Sequence, residues 1–169
     1  NATNAVSGYA EDQQYIVTKL IGAGATVQNI QNNITKSSLI GMGNIGHGNT
    51  QAIQLYDGIL DYNWFADQDL SDKLFFFNSC LTHNPPLQNA IMGVNAGNAR
   101  TFIGGDTELE ISYSEYTYQY WWDLTLNDGT EMYEAYWVAL VYPYSGGDYG
   151  FSGDEGIMLL TTAGTLKGN

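Results

Sequence analysis

The amino-acid sequence predicts a single α/β domain, in which helices cover both faces of a mainly parallel sheet. Its 169 residues are about the length of one ordinary domain. Short apolar runs alternate along the chain with segments whose apolar residues recur at helical spacing. The run over residues 74–77 is apolar on both faces, as a central parallel strand is. Strands that alternate with helices are typical of a three-layer α/β/α sandwich.

The first third of the chain predicts two helices, a strand and a hairpin. Apolar spacing indicates one helix over residues 9–21 and a second that follows Thr26, a suitable N-cap. Residues 38–42 form a short apolar run that ends in glycine, which predicts a buried strand leading into a loop. An Asp-Gly pair between alternating runs predicts a β-hairpin over residues 52–62.

The rest of the chain continues the alternation. The predicted elements are, in order, a central strand over 73–79, a short helix through residue 92, a strand over 100–104, helices over 114–126 and 130–141, and a last strand over 157–160.

The tyrosine-rich stretch over residues 112–124 lies on one of these helices. Tyr116, Tyr120 and Leu124 recur at intervals of four, so we expect them to form the buried face of the helix. Three of the other aromatic residues could still reach the surface and form an interaction site: these are Tyr118, Trp121 and Trp122.

The charge of the chain limits the classes of partner. Five basic and eighteen acidic residues give a net charge of −13, which repels nucleic acid and anionic membranes. The sequence also contains no apolar run long enough to span a bilayer. An acidic surface can attract basic peptides, but the same charge also keeps many secreted or salt-adapted proteins soluble and monomeric, and we favour this second interpretation. A peptide or protein is the class of partner that the charge permits, rather than nucleic acid or membrane.

One of the two histidines and the only cysteine are the candidate catalytic residues. His47 lies between two glycines after the first apolar run, and Cys80 ends the central run. The carboxyl ends of neighbouring parallel strands meet at one edge of the sheet, where α/β proteins bind ligands. An imidazole beside a thiol can generate the thiolate nucleophile, with no cofactor or metal. We expect the backbone N–H groups of Gly48 and Cys80 to form the oxyanion hole.

Five segments of the chain resemble a known family. The two that carry the candidate residues are LIGMGNIGHGN and KLFFFNSCLTH, and the others are ARTFIGGDTEL, EMYEAYWVAL and FSGDEGIMLL. Together they resemble the caspase-fold cysteine peptidases of clan CD, such as the gingipain-like enzymes, over about residues 25–160.

The resemblance implies a caspase-like α/β/α sandwich that hydrolyses peptide bonds through a thioester, outside the cell or at its surface. His47 would be the general base and Cys80 the nucleophile. Two positions depart from the family pattern: Leu81 stands where a small residue is common, and Glu155 ends a GDP-type segment. The first strands of the family sheet are not evident in residues 1–24, so an upstream domain or propeptide would complete the sheet.

The residues that would bind the substrate are predicted by position. Asp106 follows the strand over 100–104 and is the first candidate for binding a basic P1 side chain, with Glu108 second. An equally good interpretation is that Asp106 caps the next segment. His83 is the third candidate, expected in a loop that is either near the cleft or exposed.

Two other functions remain open at this point. His47, Cys80 and His83 would supply three ligands for a catalytic zinc ion. Alternatively, Cys80 could be an unreactive core residue in an inactive domain of the same fold, used for binding or as a surface structure.

Overall fold

A computed structural model of the chain describes residues 2–93, 99–142 and 146–159. The chain divides into two compact units. We call residues 20–109 and 149–153 the sheet unit, and residues 1–19, 110–148 and 154–169 the helical unit. That these units fold as one domain stays a prediction. No helix in the described ranges is long and apolar enough to cross a membrane.

The helices and strands of the described residues are these. The helices are α1 (Ala2–Asp12), α2 (Val27–Ile34), α3 (Tyr62–Ala66), α4 (Leu87–Met92), α5 (Ile111–Leu126) and α6 (Met132–Tyr136), with a 3-10 turn at Gly22–Gly24 and a π-helical turn at Trp137–Val141. The strands are β1 (Gly41–Ile45), β2 (Ala52–Gln54), β3 (Ile59–Asp61), β4 (Leu74–Asn78), β5 (Thr101–Gly105) and β6 (Tyr149–Gly153).

The main sheet has the strand order β1-β4-β5-β6. Strands β1, β4 and β5 are parallel to one another, whereas β6 runs antiparallel to β5. Helices flank this mostly parallel sheet, so the predicted α/β sandwich class is confirmed. Among the described residues β1 is an outer strand of the sheet.

Strand β4 is central because its side chains are apolar on both faces. All five of its residues are buried. Phe75 and Phe77 point to one face of the sheet, while Phe76 points to the other and contacts the ring of Tyr149 edge to face. Because these residues are buried on both faces of the sheet, the prediction of a central strand is confirmed.

The core of the sheet unit lies between one face of the sheet and three short helices. Phe102 on β5 extends the apolar face made by Phe75 and Phe77. The buried helix residues that belong to the same core are Ile30 and Ile34 of α2, Phe65 of α3, and Leu87 and Ile91 of α4.

The predicted cap and hairpin are both present and are linked to each other. The hydroxyl of Thr26 accepts a hydrogen bond from the N–H of Asn29 at 3.2 Å, which caps α2. Strands β2 and β3 form the antiparallel hairpin around Asp57 and Gly58. The Asp57 carboxylate accepts a 2.8 Å hydrogen bond from the N–H of Val27. The hairpin loop therefore provides an acceptor for one of the N–H groups in the first turn of α2, which have no partner within the helix.

In the helical unit, the expectation about the tyrosine-rich stretch was wrong. Tyr116 is 67% exposed, whereas Tyr118, Trp121 and Trp122 are buried. Trp121 donates a 3.3 Å hydrogen bond from its indole N–H to the carbonyl of Met132, so this polar group has a hydrogen-bond partner although it is buried. The bulkiest aromatic residues, rather than those at the most regular spacing, define the buried face.

Three predicted elements differ from the structure. The first helix ends at Asp12, and Ile16 is fully exposed, so the apolar spacing beyond residue 12 is coincidental. The first strand is β1, which begins later than the predicted run over 38–42 and is only partly buried because it is an outer strand. Residues 157–159 form no strand, and residue 160 lies outside the described residues.

Candidate functional site

The loops after β1 and β4 lie side by side at the carboxyl edge of the sheet. Ile45 at the end of β1 is paired with Asn78 at the end of β4. His47 and Cys80 each follow two positions after these paired residues. The N–H of Gly46 donates a 3.3 Å hydrogen bond to the carbonyl of Asn78, which extends the pairing into the loop. The two predicted catalytic residues are therefore on adjacent loops.

The loop that carries His47 is anchored through its backbone. The carbonyl of His47 accepts a 2.9 Å hydrogen bond from the N–H of Gln54, and the N–H of Leu87 donates to the carbonyl of Thr50 at 3.0 Å. The imidazole itself is exposed and makes no hydrogen bond to any described residue. The backbone of His47 is thus held by hydrogen bonds, and its ring is exposed to solvent.

Gly48 is where this loop comes closest to the turn after Cys80. A Cβ at this position would lie 2.6 Å from the Thr82 methyl carbon and 2.9 Å from the Ser79 Cβ. Since real Cβ atoms do not approach other atoms so closely, only glycine fits without a shift of the turn. Gly48 therefore permits the close contact of the two loops.

The turn after β4 is held by the loop after β5. Cys80 is half-buried, and its Sγ accepts a hydrogen bond from the N–H of Leu109 at 3.3 Å. The N–H of Leu81 donates to the carbonyl of Thr107 at 3.1 Å, and the N–H of His83 donates to that of Gly105 at 3.0 Å. These three bonds fix the position of the thiol. A donor aimed at sulfur also stabilises a thiolate more than a thiol.

Leu81 adopts a backbone conformation that is unfavourable for leucine. Its φ is +57°, in the left-handed region that normally holds glycine. Strain of this kind persists only where the surrounding contacts enforce it, as the bonds around Cys80 do here.

Two backbone N–H groups near the thiol are unused. In the described part of the chain, neither the N–H of Gly48 nor that of Cys80 donates a hydrogen bond. These are the two groups expected to form the oxyanion hole. Unpaired N–H donors on adjacent loops can stabilise an oxyanion that develops between them.

His83 lies in a different environment from His47. Its Nδ1 is 3.0 Å from the Oδ1 of Asp106, and its Nε2 is 2.9 Å from the Oγ of Ser152. Its side chain is 12% exposed, and its ring packs against that of Phe102. Burial lowers the pKa of His83 below its ordinary value of 6.5, against the hydrogen bond and charge of Asp106. At neutral pH His83 is therefore an uncharged imidazole.

The other predicted residues have clear positions. Asp106 is 42% exposed on its side chain and bonds to His83, and it caps no helix in the described residues, since Glu110 occupies the N-cap position of α5. Glu108 is exposed in the same loop.

The zinc alternative is not supported. No three His, Cys, Asp or Glu side chains gather into a possible metal site anywhere in the described ranges. Both ring nitrogens of His83 are already hydrogen-bonded.

Ser152 and Gln88 are site residues that the sequence did not reveal. The amide of Gln88 donates a 3.1 Å hydrogen bond to the Oγ of Ser152. Ser152 lies on β6, 69 positions from His83. The sequence around Ser152 is unusual only in its two nearby glycines, at positions 150 and 153. Glycines give no indication that the serine bonds to a histidine far away in the sequence.

The chain was compared with known proteins. No family model matches the sequence, and no curated protein matches it. A solved structure described as "Structure of Protease" matches it with a TM-score of 0.55 at 16% identity, over 70% of this chain and 35% of that one. The chain thus spans about a third of the length of that structure. At this identity the likeness establishes a shared fold, which agrees with the α/β sandwich seen here.

Proposed function

We propose that this chain contains a cysteine endopeptidase site of the caspase-fold type, with Cys80 as nucleophile and His47 as general base. The observation that carries the proposal is the pairing of Ile45 with Asn78 at the ends of β1 and β4. Because of this pairing, the loops that carry the two proposed catalytic residues lie side by side at the carboxyl edge of the sheet. The likeness to a protease fold supports the same function. We infer an extracellular or cell-surface location from the resemblance to gingipain-like enzymes.

The reaction follows from the groups at this edge. His47 takes the proton of the Cys80 thiol, and the sulfur attacks the peptide carbonyl to give a tetrahedral oxyanion. The free N–H groups of Gly48 and Cys80 stabilise that oxyanion. His47 returns the proton to the leaving amine, which leaves a thioester on Cys80. Water activated by His47 then hydrolyses the thioester and restores the thiol.

A basic P1 side chain is the preferred substrate group in this proposal. Asp106 is partly exposed, and the imidazole bonded to it is uncharged at neutral pH because burial lowers the pKa of His83. The negative charge of Asp106 is therefore not neutralised and can attract an arginine or lysine side chain. Glu108 adds a second exposed carboxylate in the same loop.

Alkylation of Cys80 tests the dyad directly, because the chain has no other cysteine. The rate of reaction with iodoacetamide is measured from pH 5 to 10 in the wild type and in His47→Ala. We expect fast alkylation of the wild type at neutral pH and a slower reaction in the variant, because the imidazole generates the reactive thiolate.

A matched control is Gln51→Ala, which changes an exposed side chain in the same loop without touching the imidazole. It should leave the pH profile unchanged. A thiol that does not react in the folded protein, or whose profile is the same in His47→Ala, would contradict the proposal. The chain would then be better described as an inactive binding or surface domain of this fold.

Cleavage of a peptide library tests the substrate preference. Products should end in arginine or lysine, and Cys80→Ala should abolish cleavage. Asp106→Asn should reduce kcat/KM for basic P1 peptides by at least about tenfold, which corresponds to ~1.4 kcal/mol. Asp67→Asn, an exposed carboxylate on another loop, is the control. Cleavage after neutral residues with no change in Asp106→Asn would refute the basic preference but not the dyad.

A further inference from the structure

Ser152, His83 and Asp106 form a continuous hydrogen-bonded chain that the proposed peptidase reaction does not use as a unit. The serine and the carboxylate bond to opposite nitrogens of the same imidazole, at 2.9 and 3.0 Å. A nucleophile bonded to a base that is itself oriented by a carboxylate is the arrangement of acyl-transfer triads, which are recognised by geometry rather than by sequence order.

We propose that these three residues form a second nucleophilic centre, in which Ser152 attacks carboxylic esters independently of Cys80. Asp106 orients His83, His83 acts as the base, and Ser152 forms the acyl intermediate.

The chemistry of the partners determines where the protons lie. A carboxylate only accepts hydrogen bonds, so Nδ1 of His83 must carry a proton and donate it to Asp106. With His83 neutral, Nε2 is left with a lone pair, and Ser152 must donate its O–H to it. The serine proton is thereby directed at the atom that would remove it. The environment that lowers the pKa of His83 keeps this base unprotonated at neutral pH.

The sheet is shaped to admit this imidazole. A Cβ on Gly150 would overlap the His83 ring, and a Cβ on Gly104 would lie 3.0 Å from the backbone nitrogen of His83. The ring also packs on Phe102, which is paired with Ser152 across β5 and β6. Three neighbouring positions thus fix the ring beside the serine.

Gln88 completes the hydrogen bonding of the serine. Its Nε2 donates a 3.1 Å hydrogen bond to the Oγ of Ser152, which in turn is bonded to His83. The two bonds hold the serine oxygen in one position beside the base. Ser152 is half-buried, so its Oγ lies in a partly enclosed position.

The reaction balances with these groups alone. The Oγ of Ser152 forms a bond to the ester carbon while its proton moves to Nε2 of His83. The carbon–oxygen bond of the ester breaks, and the alcohol leaves with that proton. Water then attacks the acyl-serine, gives its proton to His83, and releases the acid as the proton returns to Ser152.

Labelling with a fluorophosphonate tests the proposal. Attack by Ser152 forms an oxygen–phosphorus bond, expels fluoride and leaves the serine proton on His83. Intact protein is incubated with the probe and the modified residue is located by mass spectrometry. We expect modification of Ser152 at least about tenfold faster than that of Ser112, an exposed serine on α5. The rate should rise with pH through a value below 6.5, as His83 loses its proton.

Variants separate this centre from the proposed peptidase site. Cys80 is first alkylated with iodoacetamide, so that its thiol does not react with the ester. In that protein, Ser152→Ala should abolish the modification and slow the hydrolysis of p-nitrophenyl acetate. Asp106→Asn, which keeps the shape of the side chain, should lower the labelling rate by at least about tenfold, and His83→Gln by more. Circular dichroism establishes that each variant is folded.

Either of two results would overturn the proposal. One is a folded wild type whose Ser152 reacts no faster than Ser112. The other is labelling of Ser152 that is unchanged in both Asp106→Asn and His83→Gln. In each case the three residues are a structural network only, and the proposal for Cys80 is unaffected because it rests on a different residue and probe.

Discussion

The two histidines of this chain follow neighbouring parallel strands, yet their surroundings are opposite. His47 lies on an exposed loop, and its ring makes no hydrogen bond to any described residue. His83 is almost buried, and both of its nitrogens are bonded. An exposed imidazole can exchange protons with any group that reaches it, whereas a buried, doubly bonded imidazole is costly to displace and acts only on the groups already bonded to it. Two imidazoles at the same edge of one sheet are therefore held differently, one exposed and one fixed by its hydrogen bonds.

The largest effect is expected from a change that displaces only the fixed histidine. Gly150→Ala should destabilise the protein by about 3 kcal/mol, because the new Cβ overlaps the His83 ring and forces it away from its partners. Chemical denaturation measures the free energy of unfolding. Gly8→Ala on α1, where a Cβ meets nothing, should instead be neutral or stabilising. Equal stability of the two variants would contradict the tight fit described for His83.

Removing the imidazole of each histidine in turn should change the stability of the protein by different amounts. His83→Ala should lower the free energy of unfolding by roughly 2 kcal/mol, since it removes a buried ring and leaves Ser152 with one bond fewer. His47→Ala should change it by less than about 0.5 kcal/mol because the exposed ring has no bonded partner. Urea unfolding curves of the two variants measure these changes. Similar losses of unfolding free energy in both variants would contradict the different surroundings described for the two histidines.

His83 should make the stability of the protein depend on pH. Its pKa is below 6.5 in the folded protein, so the unfolded chain binds a proton more readily than the native state does. The stabilisation is complete above pH 6.5 and is lost as the pH falls through the lowered pKa. The difference in unfolding free energy between wild type and His83→Gln should therefore shrink from pH 7.5 to 5, and an unchanged difference would contradict the lowered pKa.

The smallest effect concerns the turn between Cys80 and His83. The His47 loop uses glycine at its tight point, whereas this turn uses Leu81 with a φ of +57°. Leu81→Gly removes the strain but adds freedom to the unfolded chain, so we expect a gain of no more than about 1 kcal/mol. Leu81→Val should be clearly destabilising because a branched Cβ is worse in this conformation. Thermal melts compare the two, and a stable valine variant would show that the turn can relax.

Elements that depend on local patterns were predictable from the sequence. Residues 74–77 could be placed as a central strand because every side chain is apolar, and Thr26 as a cap because its hydroxyl needs only residues nearby. The loops of His47 and Cys80 could be predicted because parallel strands place their carboxyl ends together.

Features that depend on distant contacts were not predictable. Strand β6 contains two glycines in five residues, which lowers its β-propensity, and it forms through pairing with β5. The roles of His83 and Asp106 depend on Ser152, which only folding brings near. The buried face of α5 was predicted wrongly because regular spacing at Tyr116 weighed more than the size of Trp121 and Trp122.

The close approach of Gly150 to His83 has a consequence for how the sequence can change over time. A residue with a Cβ can be accepted at position 150 only after the imidazole at position 83 has been replaced by something smaller. A smaller residue at 83 would in turn leave a void that favours a larger residue at 150. We expect the two positions to covary in related sequences, with glycine at 150 wherever histidine is kept at 83.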